Sequence, residues 1–580
     1  MSIRSDVLGV PIPNIPHAIS VSLPTWNDNT GYVEGDKRVT DAMVTGYPRF
    51  VVHRDIQALA GICEKEFGRP GETCFLFPSA HIANEFRQFM IRHSPDPASP
   101  IFSVDLVEYF ICPTHGTPAE CLELYIGLFQ EDAFRLGKQF WQHTGLGISS
   151  RFASAVLDRL AQNGKFHTDD GLSPTPEPQN FQCAKHCDSK PRRRQTLLQP
   201  CERNTLSEDH CALRASAALA KATLRHRIAG LIANESPSAP VERSQLGASV
   251  VSEDDVFLFP TGMSAIWNSY QLILAIRPQQ RSVCFGFPYT DTLKILEKWG
   301  PGCHFFADGK DTEIDKLSLI LQTESISALY TESPSNPLLR SVNLPRLRQL
   351  ADEHDFLLVV DETIGSFVNV DVLPYADMIV TSLSKVFSGK ANVTGGSLVM
   401  NPRSKYYRTL KSQLEQRFED NWWPEDAIVM EHNSRDLPRR VQTMNQTAES
   451  LCEFLRDHAL STPHTVLKHV YYPKWETRDH YDRFKRPEGG FSGLFTLTFT
   501  TMAASRAFFD NLDCAKGPSL GTNFTLVCPY TILAHPAELE WAETYGVETG
   551  LVRVSVGLEE LEDLLSRFRV ALDKAEATCL

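Results

Sequence analysis

Along the middle of the chain, short runs of consecutive apolar residues alternate with longer stretches of helical period. DVFLFPTG, SVCFGFPY, ISALYTESP, FLLVVDE and DMIVTS are apolar at successive rather than alternate positions, the pattern of strands covered on both faces. Between them lie SAIWNSYQLILAI, YTDTLKILEKWG and LPRLRQLADEH, which read as helices. The alternation predicts an α/β large domain, a mostly parallel sheet with helices on both faces.

On either side the pattern changes. Residues 1–45 are proline-rich and polar, and SVSLPTWNDNTGYVEGD reads as loop and turn. Ile56, Leu59, Ala60 and Cys63 share one face of a helix. TCFLFPS reads as a strand or tight turn, HIANEFRQFMIRH as helix, IFSVDLVEYFICP as strand, and Glu120 to Arg135 as helix. CFLFPSAHIANEF echoes VFLFPTGMSAIWN, either as a degenerate repeat or by coincidence in short apolar text. Residues 163–210 hold prolines and charges with few large apolar groups, and read as a disordered insertion or linker. Cys183, His186, Cys187, Cys201 and His210 fall there, with Cys211 at its edge, but their spacing fits no standard zinc finger, so no metal is expected. Residues 212–232 form a helix by composition. After Lys405 a long helical section runs to His458, and then VLKHVYYPK, GLFTLTFTT, SLGTNFTLVCP and LVRVSVG alternate with helices as a smaller α+β domain. The expected divisions are 1–160 as an N-terminal extension and subunit-contact region, the 161–210 insertion, a 211–405 large domain and a 406–580 C-terminal domain.

Composition narrows the partners. A formal charge of −14 supplies no basic field for nucleic acid, and the one dense basic run is Pro191-Arg192-Arg193-Arg194. No stretch approaches the ~20 apolar residues of a membrane span. The 14 cysteines are scattered, which predicts reduced thiols and a cytoplasmic setting.

The candidate chemistry lies where the strands end. In parallel sheets, ligands bind at the carboxyl ends of strands. FLLVVDE ends in Asp361, and DMIVTS runs into Ser382-Leu-Ser384-Lys385, followed by the glycine-rich SGKANVTGG. Lysine is rarely buried unless paired, and in such a place its chemical use is as a Schiff-base amine. Taken alone, Lys385 reads equally as a lysine reaching solvent. Thr261-Gly262-Met263-Ser264 follows a strand and opens a helix, where backbone N–H groups can meet an anion. Ser382 and Ser384 could close the same cup. Tyr289 could lie against a flat heterocycle, and Asn336 is held between two prolines. An anion cup, a ring stacker, a carboxylate for a ring nitrogen and a lysine amine are together the parts for holding pyridoxal 5'-phosphate.

These motifs resemble the Cys/Met-metabolism family of pyridoxal-phosphate enzymes, and within it the fungal type of cystathionine γ-synthase. The resemblance rests on FLFPTGMSAIWNSYQLIL, FGFPYTDTLKILEKWGPGCHF, YTESPSNPLL, VVDETIGSF, TSLSKVFSG, KGPSLGTNFTLVCPYTILAH and LVRVSVGLEEL. It implies the aspartate-aminotransferase fold and a homotetramer of dimers with shared active sites. It further implies that Lys385 carries the cofactor and shuttles protons, that Asp361 pairs with the ring nitrogen, and that Tyr289 stacks on the ring. Gly262, Met263, Ser382 and Ser384 would hold the phosphate, Thr363 would join the cofactor set, and Asn336 would lie near the phenolic oxygen. Arg553 resembles the arginine that grips the substrate carboxylate, with Ser519 beside it. The family donates a Tyr-x-Arg segment from a neighbouring subunit. Arg151, with Ser149 in place of the tyrosine, is preferred for that role over Tyr47 and Arg49. The implied activity is γ-replacement on an O-acylhomoserine, with cysteine giving cystathionine. A paralogue using another thiol or a carbon nucleophile, and a scaffold retaining the fold, are the alternatives. Lys390, beside the active lysine, departs from the pattern.

Overall fold

The computed structural model describes residues 7–48, 50–94, 100–113, 121–164, 208–233 and 251–579. It divides into two compact units. One holds Met1–Val51, Lys221–Asp420 and Val429–Leu580; the other holds Val52–Ala220 and Asn421–Ile428.

The first unit contains a seven-stranded sheet in the order Val256–Phe259, Gly396–Met400, Met378–Ser382, Leu357–Asp361, Ala328–Glu332, Ser282–Phe285, Cys303–Phe306. Only Gly396–Met400 runs against the others. Every strand named from the apolar runs is present. Gly396–Met400 and Cys303–Phe306, unread in the sequence, complete the sheet. Helices such as Gly262–Ile276, Thr290–Lys298 and Leu344–Glu353 connect its strands. The result puts the carboxyl ends of six strands on one edge, together with the start of Gly396–Met400.

A second, five-stranded sheet runs Leu467–Tyr471, Leu494–Phe499, Val552–Ser555, Leu526–Pro529, Ala515–Lys516. Phe495 and Phe508 pack on Phe568, which seats the helices Met502–Asn511 and Leu561–Glu576 on it. The N-terminal segment is ordered into this unit rather than left as loop. Pro11–Ile12 pairs with Ser20–Val21, and Trp26–Glu34 is a helix started by a reciprocal Thr25–Asp28 capping box. Its entry is pinned by Leu23 N–H to Lys516 O at 2.9 Å and Trp26 N–H to Asp510 Oδ1 at 2.7 Å.

In the second unit the antiparallel sheet Glu72–Phe77, Leu122–Gln130, Asp105–Ile111 is flanked by Arg54–Phe67, Ala80–Arg92, Phe134–Thr144 and Ser150–Gln162. The helix expected over Glu120 to Arg135 is instead the sheet's central strand. Leu122, Leu124, Ile126 and Leu128 recur at every second residue and all face the core. The hairpin register pairs Ile111 with Leu122, so the next residues, Cys112 and Cys121, stand opposite one another and are joined as a disulfide. The expectation of reduced thiols therefore fails at this pair. The two echoing segments share strand, Ser or Thr cap, and helix, but one strand lies in this antiparallel sheet and the other in the largely parallel one. Cys183, His186, Cys187 and Cys201, with the basic run at Arg192, lie outside the described residues, whereas His210 and Cys211 fall in the helix Glu208–Ala233. Among the described residues, no helix is long and apolar enough to cross a membrane.

Candidate active site

Parallel pairing sets Glu332 opposite Asp361, so two carboxylates end neighbouring strands. Asp361 Oδ1 accepts the Thr363 N–H at 2.9 Å and its hydroxyl at 2.6 Å, while Thr363 Oγ1 accepts the Ser382 N–H at 2.9 Å. Thr363 thus ties the ends of two strands together. Burial raises the Asp361 pKa against the lowering effect of Thr363. Burial, with Asp361 alongside, pushes Glu332 up to about 8. Glu362 points elsewhere, accepting from Thr381 and the Phe367 N–H, and burial lifts it to about 8 as well.

The anion cup forms at the first helix turn. Thr261 and Ser264 cap one another reciprocally. Among the described residues, the N–H groups of Gly262 and Met263 have no hydrogen-bond acceptor in the protein. They sit at the positive end of a 15-residue helix. A Cβ added at Gly262 would lie 2.7 Å from Ser382 Cβ and 2.9 Å from its Oγ, so glycine is what lets this turn approach the serine. Ser384 Oγ accepts the Gly395 N–H at 3.0 Å, fixing the other side of the Lys385 turn.

Lys385 Nζ donates to Ser519 Oγ at 3.0 Å and to Tyr47 Oη at 2.9 Å. Ser519 is held at φ +96°, a conformation rare without glycine, and its carbonyl accepts from Arg553 Nη2 at 2.7 Å. Arg553 Nη1 donates to Asn336 Oδ1 at 2.9 Å. One carboxylate, Glu332, accepts the backbone N–H groups of both Tyr289 and Asn336. The structure therefore brings Gly262, Met263, Tyr289, Asn336, Asp361, Thr363, Ser382, Ser384, Lys385, Ser519 and Arg553 into one connected set of strand ends and contacts. Arg151 belongs to the other unit, where its buried guanidinium is ion-paired with buried Asp426 at 2.8 Å, and Ser149 caps its helix. Its charge is already matched within that unit. Lys390 is exposed, and Arg49 lies outside the described residues.

Four residues of this region went unassigned or were passed over in the sequence. Tyr47 is distant along the chain, and only the path of residues 7–48 brings it to Lys385. Glu332 ends a strand as Asp361 does, a signal that was available. Tyr530 and Arg440 had none. Arg440 donates to the carbonyls of Val386 and Phe387, both at 2.9 Å, and so clamps the turn that follows Lys385.

The donor set fits pyridoxal phosphate: unspent N–H groups and a serine for a dianion, a buried carboxylate for a ring nitrogen, and an amine for the aldehyde. The class defined is a pyridoxal-phosphate-dependent transferase of the aspartate-aminotransferase fold. Residues 244–573 match the family described as Cys/Met metabolism PLP-dependent enzyme, and residues 55–149 match the fungal trans-sulfuration enzyme N-terminal domain. The chain is 46% identical to the cystathionine gamma-synthase-like enzyme iboG2 of Amanita muscaria, over 98% of this chain and 96% of that one. It is 40% identical to a cystathionine gamma-synthase of Neurospora crassa, over 98% of each. A solved cystathionine gamma synthase of Xanthomonas oryzae has the same fold, with a TM-score of 0.51, 23% identity, and coverage of 63% of this chain and 88% of that one. The chain belongs to the Cys/Met-metabolism family of pyridoxal-phosphate-dependent enzymes and carries the fungal N-terminal domain of that family.

Proposed function

We propose that the chain is a cystathionine γ-synthase, catalysing γ-replacement on an O-acylhomoserine with cysteine as the nucleophile. The observation that carries this reading is one lysine amine placed 3.0 Å from the hydroxyl of Ser519, whose carbonyl holds Arg553. A single base beside a carboxylate-binding guanidinium is what removing protons from Cα and Cβ of one bound amino acid requires. The similarity to the Neurospora enzyme supports the same reading.

Arg553 grips the substrate carboxylate as a fork. Lys385, its amine steadied by the Ser519 and Tyr47 hydroxyls, takes the Cα proton, and once it has passed that proton on, its neutral amine is free to take the Cβ proton. When bound, pyridoxal phosphate supplies the electron sink for both losses. Asp361, oriented by Thr363, keeps the ring nitrogen protonated. Gly262, Met263, Ser382 and Ser384 would hold the phosphate, Tyr289 would stack on the ring, and Asn336 would serve the phenolic oxygen. The acyloxy group leaves Cγ, and the thiolate adds at the same carbon. Sharing of sites in a homo-oligomer belongs to this reading. The ion pair that already matches Arg151 with Asp426 favours the Tyr47–Arg49 segment over Arg151 at the phosphate.

A second reading is γ-replacement with another thiol or a carbon nucleophile; the chain is more similar to the Amanita enzyme called cystathionine gamma-synthase-like, at 46%, than to the Neurospora cystathionine gamma-synthase, at 40%. Purified protein given O-acetylhomoserine or O-succinylhomoserine with cysteine should release cystathionine, read by mass spectrometry. Consumption of the ester only with a different nucleophile would establish the second reading. A visible cofactor absorbance that survives Lys385→Ala unchanged would overturn the assignment of Lys385.

A further inference from the structure

The strand Leu526–Pro529 pairs antiparallel with Val552–Ser555, and Cys528 stands directly opposite Arg553. Tyr530, two residues beyond Cys528, therefore leaves the strand on the same face as the arginine. Its ring lies 4.7 Å from Arg553 Cζ, and its hydroxyl accepts from Asn336 Nδ2 at 3.3 Å. The side chain is only 4% exposed and is backed by aromatic neighbours. His535 stands 5.9 Å away edge-on, itself packed on Phe287 and Trp541. It is a rigid platform rather than a mobile cover.

The contacts around Arg553 divide its surface. Nη1 is tied to Asn336, Nη2 to the Ser519 carbonyl, and Cζ lies over the Tyr530 ring. An arginine carries about 2 kcal/mol of rotamer entropy, so a guanidinium fixed in plane before binding loses less when a carboxylate docks on it. The same tyrosine fixes the Asn336 amide. Arginine has no acceptor, so Oδ1 must face Arg553, and the Nδ2 end is then received by the Tyr530 oxygen.

We propose that Tyr530 is the positioning residue for substrate-carboxylate recognition. Its ring sets the plane of Arg553, and its hydroxyl locks the asparagine that links Arg553 to the cofactor side of the site. This rests on Arg553 as the carboxylate-binding group. The sequence offered no sign of it, because the contact depends on strand register rather than on a motif.

The test compares L-norvaline with L-norvalinamide, which differ only in the carboxylate. Each is titrated into the cofactor-loaded enzyme and followed by the visible absorbance. Tyr530→Leu should weaken norvaline binding by roughly thirtyfold, the size of one desolvated cation–π contact, and leave norvalinamide unchanged. Tyr530→Phe, which keeps the ring but frees the Asn336 amide, should weaken norvaline by only about threefold, the size of one weak neutral hydrogen bond. Affinity of the apoprotein for pyridoxal phosphate, read by tryptophan fluorescence, should be the same in wild type and Tyr530→Leu. Tyr530→Met serves if the leucine variant does not fold. Equal losses for both ligands, or no loss for norvaline, would overturn the inference. Arg553→Lys separates the two ideas. If it abolishes the preference for norvaline while Tyr530→Leu does not, only the role of Tyr530 falls; if it too preserves the preference, the reading of Arg553 itself falls.

Discussion

Arg440→Met tests whether the turn carrying Lys385 is held from behind by a single guanidinium. Arg440 is 3% exposed and spends its donors on the Val386 carbonyl and the Phe387 carbonyl, each at 2.9 Å, Asn523 Oδ1 at 3.1 Å and the Asn433 carbonyl at 3.3 Å. Its ion pair with Asp436 at 2.7 Å is a lesser part, because the Asp436 side chain is 61% exposed and solvent screens it. Methionine keeps the packing of the stem and removes every donor. A buried carbonyl left without a partner costs about 1–3 kcal/mol, so orphaning the Val386 and Phe387 carbonyls gives roughly 2–6 kcal/mol. Water admitted at the more distant contacts places the expected value in the lower half of that range, about 3 kcal/mol, a large share of the ~5–15 kcal/mol that holds a typical domain. Urea unfolding of the apoprotein reads this loss. The visible absorbance of bound cofactor, followed through dialysis, reads the accompanying disorder at Lys385. Asp436→Ala should cost under about 1 kcal/mol, and Arg440→Lys, with one compact ammonium in place of the fork, should fall between. An Arg440→Met protein within about 0.5 kcal/mol of wild type, or an Asp436→Ala protein as damaged as Arg440→Met, would refute the clamp, since surface substitutions stay inside that margin.

Further outcomes follow from the same geometry. Gly262→Ala should fold normally but bind pyridoxal phosphate far more weakly in equilibrium dialysis, because its methyl would sit 2.7 Å from Ser382 Cβ. Ser519→Gly should raise apoprotein stability by about 1 kcal/mol through relief of the strained backbone, whereas Ser519→Ala should not. Both should lower the rate of Cα proton exchange, as Lys385 loses one of its two hydroxyl partners. Apoprotein stability should fall as pH rises from about 5 to 8. Glu332 and Glu362 are both lifted from 4.5 to about 8, first by burial. The folded state then holds protons that the unfolded state has released, so their contribution is full below the ordinary value and is lost toward the raised one. Glu362→Gln should flatten that slope in chemical denaturation; an unchanged slope would show that Glu362 is not the group involved.

Much of the large domain was legible because consecutive apolar residues can only be strands buried on both faces, and their polar ends must then converge on one edge. That reasoning put Gly262, Tyr289, Asn336, Asp361, Ser382 and Lys385 at or just beyond strand ends, where the structure has them. It failed at Leu122–Gln130, where alternation of Leu122, Leu124, Ile126 and Leu128 announced a half-buried strand and a helical period was read instead. It also passed over Trp26–Glu34, whose Thr25–Asp28 capping pair was visible in the text.

The sequence by itself determined the cofactor chemistry, since an anion cup, a carboxylate and an amine at successive strand ends follow from local pattern and the direction of a parallel sheet. Only the tertiary structure decided what holds those groups in place. Glu332 meets Asp361 through strand pairing, Tyr530 meets Arg553 through antiparallel register, Arg440 reaches the Lys385 turn from 55 positions along the chain, and Tyr47 arrives from further still. None of these contacts leaves a trace in local composition, because each depends on segments distant in sequence packing to within hydrogen-bond distance.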